Sequence, residues 1–495
     1  MSREIITIAQ MRAIDAAAAA QGTPTQTLME NAGRAVAAAI CDRFAPRPTV
    51  VVCGPGNNGG DGWVAARALL DRGWPVWVET LTPIAQLTGD ARQAALRWSG
   101  ETSLPGEHRY QPKLYVDAMF GAGLTRPLEG QALVKAAMFA GDAANVVAVD
   151  VPSGLNGDSG LPIGQVWARA GLTVTFVRKK IAHVLEPGRS FCGDVAVADI
   201  GASEDIVAAQ KISLRENGAA LWLSQFPWPA IDAHKHRRGH VYVASGAHAH
   251  TGAARLAAQN ALRVGAGLVT VLSPSDAMAE NAAQLTAIML REANAASDLV
   301  KAAEEGQALL IGPAFGCDGT AREKLEAVLK ASSRCRLVLD ADAITLLAPL
   351  GEDVVRPGDV LTPHVGEFER AFPGLLKASA TRIEAARAAA KRAGCVVLLK
   401  GPDTVIAASE GQAVVNTSGT PFLATAGSGD CLAGMIAGLI AQGMESFAAA
   451  AAGAWLHGRA GEALGPGLAA ADISEFLPTV LNSLAPKALQ RRPLG

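Results

Sequence analysis

The chain has no excess of basic residues. Its 44 lysines and arginines face 46 aspartates and glutamates, a net charge of −2, which leaves no electrostatic footprint for nucleic acid. Its 7 cysteines are scattered, with no C-x-x-C pair, so neither a zinc site nor a disulfide framework is expected and the thiols read as buried and reduced. No long apolar run is uninterrupted: the stretch 431–456 is broken by Gln442, Gly443, Glu445 and Ser446, and reads as two packed helices, not a membrane span. The opening "MSREIITIAQMRAIDAAAAAQ" is charged too early for a signal peptide, so a cytoplasmic location is expected. Aromatics make up only 5% of residues, while alanine and glycine are used heavily. That balance suits α/β packing with close backbone approaches.

What is present is a strand–loop–helix rhythm. At 495 residues and 49% hydrophobic content, two or three domains with large cores are expected. From Pro48 to Gly201, the runs "TVVVCG", "PVWVETL", "KLYVDAMFG", "NVVAVDVPSG", "LTVTFV" and "DVAVADIG" are short and continuously apolar. Strands buried on both faces of a parallel sheet have this composition. Helical stretches at Trp63–Arg72 and Asp90–Trp98 separate several of them, which predicts a doubly wound sheet, capped by a helical arm over Ile8–Arg43. The rhythm lapses over 206–234, where charges mix with prolines and tryptophans that look exposed, so a linker or docking segment is expected there. A second α/β rhythm then runs from about Lys235 onward. It does not repeat the first, so the chain reads as a fusion of two domains, 1–205 and 235–495.

Ligands of open α/β sheets bind beyond the carboxyl ends of strands. Three such ends carry unusual chemistry in the first half: Asn57-Asn58-Gly59-Gly60-Asp61-Gly62, Asp117 with Gly121 to Arg126, and Asp150-Val151-Pro152-Ser153-Gly154-Leu155-Asn156. Asx turns and helix caps explain each alone, but together they converge. Glycine loops admit a pyrophosphate, and Asn, Asp and Ser oxygens without a lysine suit a hard cation. The G-x-G-x-x-G fingerprint is met only loosely by Gly54-Pro55-Gly56-Asn57-Asn58-Gly59, which disfavours an ordinary nicotinamide dehydrogenase. In the second half, "ATAGSGDCLAGMIAGLIA" puts Asp430 at the start of an apolar helix. Backbone N–H groups of Gly427 to Gly429 would form an anion hole, with Asp430 as base for an incoming hydroxyl. The alternative is that Asp430 is only an N-terminal helix residue favoured by the macrodipole. Lys400, Gly401 and Thr404 in "VVLLKGPDTVI" suit a nucleotide, and "LTPHVGEFER" adds His364, Glu367 and Glu369.

"GPGNNGGDGWVAARAL", "VDAMFGAGL" and "VDVPSGLNGDSG" resemble the signature segments of the NAD(P)H-hydrate epimerase (YjeF N-terminal) family over Ile8–Ala202. "HTGAARLAAQNALRVGAGLVTV", "IGPAFG", "VLDADAI", "LTPHVGEFER", "KGPDTVI" and "AGSGDCLAG" resemble the ribokinase-like ADP-dependent NAD(P)H-hydrate dehydratase family over Lys235–Leu481. The resemblance implies a Rossmann-like three-layer αβα domain followed by a ribokinase-like α/β domain. It implies that Asn57, Asn58, Gly59, Gly60 and Asp61 contact the hydrated dinucleotide, together with the run Gly121, Ala122, Gly123, Leu124, Thr125, Arg126 and Pro127. Asn58, Asp117 and Ser153 would ligate potassium, and Asp150 would face the damaged ring as the working carboxylate. In the second domain Ala253, Gly316, His364 and Asp430 would meet the hydrated cofactor. Lys400, Gly401, Pro402, Asp403, Thr404 and Gly429 would hold ADP, with Mg2+ assisting phosphoryl transfer. The sequence departs from that pattern at Ala314, where glycine is expected, and at His250, where an aromatic is common.

The implied function is a bifunctional repair enzyme. It would interconvert the R and S hydrates of NADH and NADPH and return the S form to the usable cofactor at the expense of ADP. Its partners would be these small molecules, with neither nucleic acid nor membrane. A homo-oligomer is expected, with the alanine-rich helices at Ile8–Arg43 and Phe447–Arg459 available to pack between subunits. Two other readings remain open at this level: a vitamin or sugar kinase fused to a nucleotide-binding regulatory module, and a first half that binds ligand without catalysis.

Overall fold

A computed structural model describes residues 3–107, 111–230, 232–331, 333–352 and 354–489. The chain divides into two compact units, Met1–Arg215 and Glu216–Gly495. The segment 206–234, expected as a linker, is therefore shared between them. Its tryptophans are not exposed: Trp222 is fully buried, its ring 5.7 Å from that of Trp455, and its indole N–H donates to Asn217 Oδ1 at 3.3 Å. Prolines and charges around Trp222 suggested a loop, but a large amphipathic ring with an available acceptor is more stable inside the core.

The first unit is built on a seven-stranded sheet. From one edge to the other the strands are Thr102–Ser103, Val76–Thr80, Thr49–Cys53, Leu114–Ala118, Val146–Val149, Leu172–Phe176 and Asp194–Ala198, all paired in parallel. The six apolar runs of the sequence are six of these strands. Alternation along each strand sends neighbouring side chains to opposite faces. Val51 and Cys53 join a core with Ile14, Val36 and Trp63, whereas Val50 and Val52 join one with Ala132, Ala136 and Phe139. Both faces are thus covered, which is why the strands carry no polar alternation. The helical arm is two helices, Ile8–Ala20 and Thr25–Arg43, divided by a turn at Gly22 (φ +98°) and Pro24. Thr49–Cys53 lies between Val76–Thr80 and Leu114–Ala118, so the chain winds outward one way from it and then returns to wind the other. This is the topological switch point, where such sheets open a crevice.

The second unit's sheet has ten strands, of which Leu214–Glu216 forms one edge and Met289–Glu292 the other. The strands from Val396–Leu399 back to Met289–Glu292 pair in parallel, and Thr404–Ala407 and Ala413–Asn416 extend the sheet antiparallel. Its core includes residues of the helices Gly252–Arg263, Ser428–Ala441, Ser446–Leu464 and Ala470–Leu484. The first two of these lie against each other so closely that a Cβ on Gly434 would come within 2.1 Å of the Ala257 carbonyl oxygen. Small residues let the backbones touch, and that contact fixes the helix whose first turn carries Asp430.

Candidate functional site

In the first unit the helix after Thr49–Cys53 begins at Asn57, not at Trp63, and runs to Leu70. The asparagines therefore open its first turn, Asp61 follows at the start of the second, and the loop proper is only Gly54–Gly56. Paired glycines read as a loop in the sequence, yet here they are helical, and glycine stands there because a side chain has no room: a Cβ on Gly59 would lie 2.0 Å from the Gly54 carbonyl oxygen. First-turn N–H groups have no intrahelical acceptor and attract anions. They open toward a cavity of ≈ 650 Å³ lined by Asn57, Asn58, Asp61, the segment Met119–Arg126, Asp150 and Lys180, among others. Three strand ends thus meet at the switch point. Arg12 and Arg126 add two guanidinium groups to the wall. Gly59 and Gly60 are buried, and Pro127 lies toward Gly164, outside the lining.

Asp150 has φ +66°, the left-handed region that costs a non-glycine residue about 1–3 kcal/mol. It is held there from several sides. Oδ1 meets Lys180 Nζ at 2.9 Å and accepts from Thr175 Oγ1 at 3.0 Å, while Oδ2 accepts from the Ala122 N–H at 3.0 Å. Burial pushes this carboxyl upward, but the Lys180 charge and the Ala122 N–H prevail and bring it down to about 2. Gly121 lets the neighbouring loop pass, since a Cβ there would lie 2.8 Å from Asn58 Oδ1 and 3.0 Å from Asp150 Oδ2. Burial has the opposite outcome at Asp15, raised to about 6, and at Asp61, raised well above the usual range with Asp150 and Asp15 adding to the effect. One wall thus carries a carboxylate held low by its cation and two carboxyls that burial raises.

Behind Phe120, Asp117 is fully buried. Its Oδ1 accepts from Ser153 Oγ at 2.6 Å and its Oδ2 from the Ser153 N–H at 2.8 Å, and the Phe120 N–H donates to Ser153 Oγ at 2.9 Å. Burial raises Asp117 to about 6, and no lysine or arginine figures among the groups that offset it. Asn58 Nδ2 is buried without a partner. Asp117 and Ser153 thus satisfy each other out of the cavity, whereas Asn58 lines it, so the three oxygens named for a cation are not gathered around one open position.

In the second unit, Asp430 sits in the first turn of Ser428–Ala441, whose N-cap Gly427 has φ +87°. Lys400, at the end of Val396–Leu399, reaches Asp340 Oδ1 at 2.8 Å and Glu367 Oε2 at 3.8 Å. A Cβ on Gly429 would lie 3.4 Å from Lys400 Nζ, so the ammonium stands against the helix N-terminus. Asp430 is raised to about 6 by burial and by Asp340, with Lys400 opposing. His364 caps Val365–Ala371: Nδ1 accepts the N–H groups of Gly366 (2.9 Å) and Glu367 (3.3 Å), and Nε2 faces Glu367 Oε1 at 3.2 Å. Ser428 Oγ meets His457 Nε2 at 2.9 Å.

The remaining expected positions are less convergent. Gly401 and Thr404 bond to each other, and buried Asp403 faces Arg382 Nε at 3.2 Å. Glu369 is exposed and accepts from the Gly374 N–H. The Gly316 N–H donates to Asp342, and Ala253 is half-buried on the helix Gly252–Arg263. His250 is exposed. Ala314 has φ +53°, which explains why glycine suits that position.

Sequence reasoning missed Asp15, Lys180 and His183 in the first unit and Asp340 and His457 in the second. Asp340 had a signal, a strand-end carboxylate in "VLDAD" of the same kind as Asp117 and Asp150. The others had none, being single residues on elements with no motif of their own.

Residues 241–480 match the family model described as NAD(P)H-hydrate dehydratase, and residues 25–182 match that of the YjeF-related protein N-terminus. A bifunctional NAD(P)H-hydrate repair enzyme of Moorella thermoacetica is 38% identical, the alignment covering 97% of this chain and 97% of that one. A protein of the same name from Salinibacter ruber is 36% identical over 93% of this chain and 92% of its own. Among solved structures, a ribokinase-like superfamily protein of Enterococcus faecalis is 29% identical with a TM-score of 0.50, over 55% of this chain and 97% of that one.

Proposed function

The chain belongs to the family of bifunctional NAD(P)H-hydrate repair enzymes, and on that premise we propose which of its residues carry each reaction. The observation that carries the reading is the match of both halves, in order, along 97% of the chain. Epimerisation of NADHX and NADPHX is assigned to residues 1–205 and dehydration of the S form to residues 235–495, with 206–234 between them.

Exchange of R and S hydrates requires the C6–oxygen bond to break and reform on the other face, helped by the ring-nitrogen lone pair. A proton must be delivered and another removed. The hydroxyl gains a proton and leaves as water; Asp150, kept ionised by Lys180, stabilises the cationic ring this leaves and accepts the proton lost by the water that adds to the other face. Asn57, Asn58 and Asp61 and the segment Gly121–Arg126 line the cavity and bind the dinucleotide, with first-turn backbone N–H groups toward its phosphates, while buried Gly59 and Gly60 and the neighbouring Pro127 shape that wall. Potassium at Asn58, Asp117 and Ser153 forms no part of the reading, because their oxygens are not gathered around one open position.

In the second half Asp430 takes the proton of the C6 hydroxyl as that oxygen attacks the β-phosphorus of ADP, releasing AMP. The C6–O bond then breaks with phosphate leaving, pushed by the ring nitrogen, and loss of the C5 proton restores the dihydropyridine. First-turn N–H groups at Gly429 and Asp430 face the transferring group. Lys400, Gly401, Pro402, Asp403 and Thr404 hold ADP, while Ala253, Gly316 and His364 meet the hydrated ring. Mg2+ supplies charge neutralisation on the phosphates, in keeping with phosphoryl transfer generally. A cytoplasmic location and a homo-oligomer complete the proposal.

The test uses the full-length protein with an equal mixture of R and S hydrates and ADP. Wild type should consume both. Asp150→Asn should consume the S half at the enzymatic rate and the R half only as fast as it epimerises unaided. Rapid consumption of both halves by that variant would contradict the role given to Asp150.

A further inference from the structure

His183 belongs to the one-turn helix Ile181–His183, which follows the short strand Lys179–Lys180. Only 2% of it is exposed, and it is not among the residues lining the cavity. Its ring joins two backbones 33 and 3 residues away in sequence. Nδ1 accepts the Lys180 N–H at 2.9 Å, and Nε2 faces the Asp150 carbonyl oxygen at 2.8 Å. Because Nδ1 accepts, the ring proton lies on Nε2 and donates to Asp150. A neutral imidazole in this tautomer satisfies both contacts. Burial, with the Lys180 charge, keeps it neutral by holding the ring down at about 4.

The two residues it joins are the two halves of the Lys180–Asp150 ion pair, buried at its lysine end and open to the cavity at its carboxylate. Lys180 Nζ also donates to Thr175 Oγ1 at 2.9 Å and to the Phe176 carbonyl oxygen at 3.1 Å, so its ammonium is fixed at the far end as well. Asp150, in its left-handed conformation, needs such restraint, since strained backbone persists only where its surroundings over-determine it. We infer that His183 is a positioning residue for the epimerase reaction, a clip between the Asp150 carbonyl and the Lys180 N–H that fixes the carboxylate and the ammonium relative to each other at the cavity wall. The inference rests on the reading of Asp150 as the working carboxylate. His183 itself touches no substrate and exchanges no proton.

The test measures R-to-S exchange without ADP in the full-length protein, by chromatographic separation of the two hydrates. Glutamine can accept through its carboxamide oxygen and donate through its nitrogen, whereas methionine of similar size can do neither. His183→Met should lower kcat about 30-fold or more, as small misplacements of reacting groups do, with KM within about threefold. His183→Gln should recover to within about fivefold of wild type. In an Asp150→Asn background, His183→Met should cause no further loss, because the clip acts through Asp150. Wild-type kcat in His183→Met, equal impairment of both His183 variants, or a full additional loss on top of Asp150→Asn would each overturn the inference. Should the methionine variant fail to fold, the glutamine variant decides alone. Near-normal kcat supports the clip, and a 30-fold loss at unchanged melting temperature contradicts it. If Asp150→Asn itself exchanges at the wild-type rate, the underlying reading fails and this inference with it. If Asp150→Asn is slow while folded His183→Met is fast, only the role of His183 falls.

Discussion

Each unit places a carboxylate near a lysine, buried in the first unit and half-buried in the second, yet the two carboxylates are treated in opposite ways. In the first, Lys180 pairs with Asp150 itself at 2.9 Å, and the carboxyl is brought down to about 2. In the second, Lys400 pairs with Asp340 at 2.8 Å, and Asp430, left with burial and two neighbouring carboxylates, rises to about 6. A lysine near an acid does not by itself say how the acid titrates. Which oxygen it touches decides. The outcome suits the two reactions. An anion held at low energy can stabilise the cationic ring left when C6–O breaks, whereas a base that must take a hydroxyl proton works best with a pKa near the working pH.

The largest expected effect comes from removing the higher of the two acids: Asp430→Asn should reduce ADP-dependent formation of reduced dinucleotide by about 10³-fold, read from its absorbance. Next, Lys180→Met should make Asp150 resemble Asp430, slowing R-to-S exchange by about 10²-fold. Because it leaves a buried carboxylate without its cation, it should also destabilise the first unit by about 3–5 kcal/mol, visible in urea unfolding. The comparison then predicts stability changes of opposite sign. The Asp150 carboxyl titrates lower folded than unfolded, so it contributes stability above about pH 4 that is lost as pH falls toward 2. Asp430 titrates higher when folded, so its ionisation weakens the fold as pH rises through about 6. At pH 7, Asp430→Asn should stabilise the second unit by about 1–3 kcal/mol while abolishing dehydration, and Asp150→Asn should destabilise the first. The smallest effect is expected at Ala314→Gly, which relieves a positive φ and should change stability by less than about 1 kcal/mol without slowing either reaction.

The central strands of both sheets were legible because burial on two faces leaves unbroken apolar runs, and the strand ends then pointed to Asp117, Asp150 and the switch point. The short, partly exposed edge strands Thr102–Ser103, Leu214–Glu216 and Met289–Glu292 have no such runs and were not. The start of the helix at Asn57 was not legible. Gly59 and Gly60 argue against a helix on propensity, and only the approach of Gly54 and Met29 to them explains the choice. Trp222 was misread because its acceptor, Asn217, and its neighbour Trp455 belong to elements that only the fold brings together. The same holds for the site: Asp430 stood in a motif, but whether Lys400 pairs with it or with Asp340 is a fact of geometry. Lys180 and His183 sit in "VRKKIAHV", a run with no catalytic spacing, and acquire meaning only through contact with Asp150.

The pH dependence of dehydration in the full-length enzyme tests the contrast most directly. With S hydrate and ADP, kcat/KM should fall tenfold per pH unit below about 6, as Asp430 takes up its proton. A profile that stays flat down to pH values near the ordinary carboxylate range would show that Asp430 is as readily ionised as Asp150, and would contradict the account.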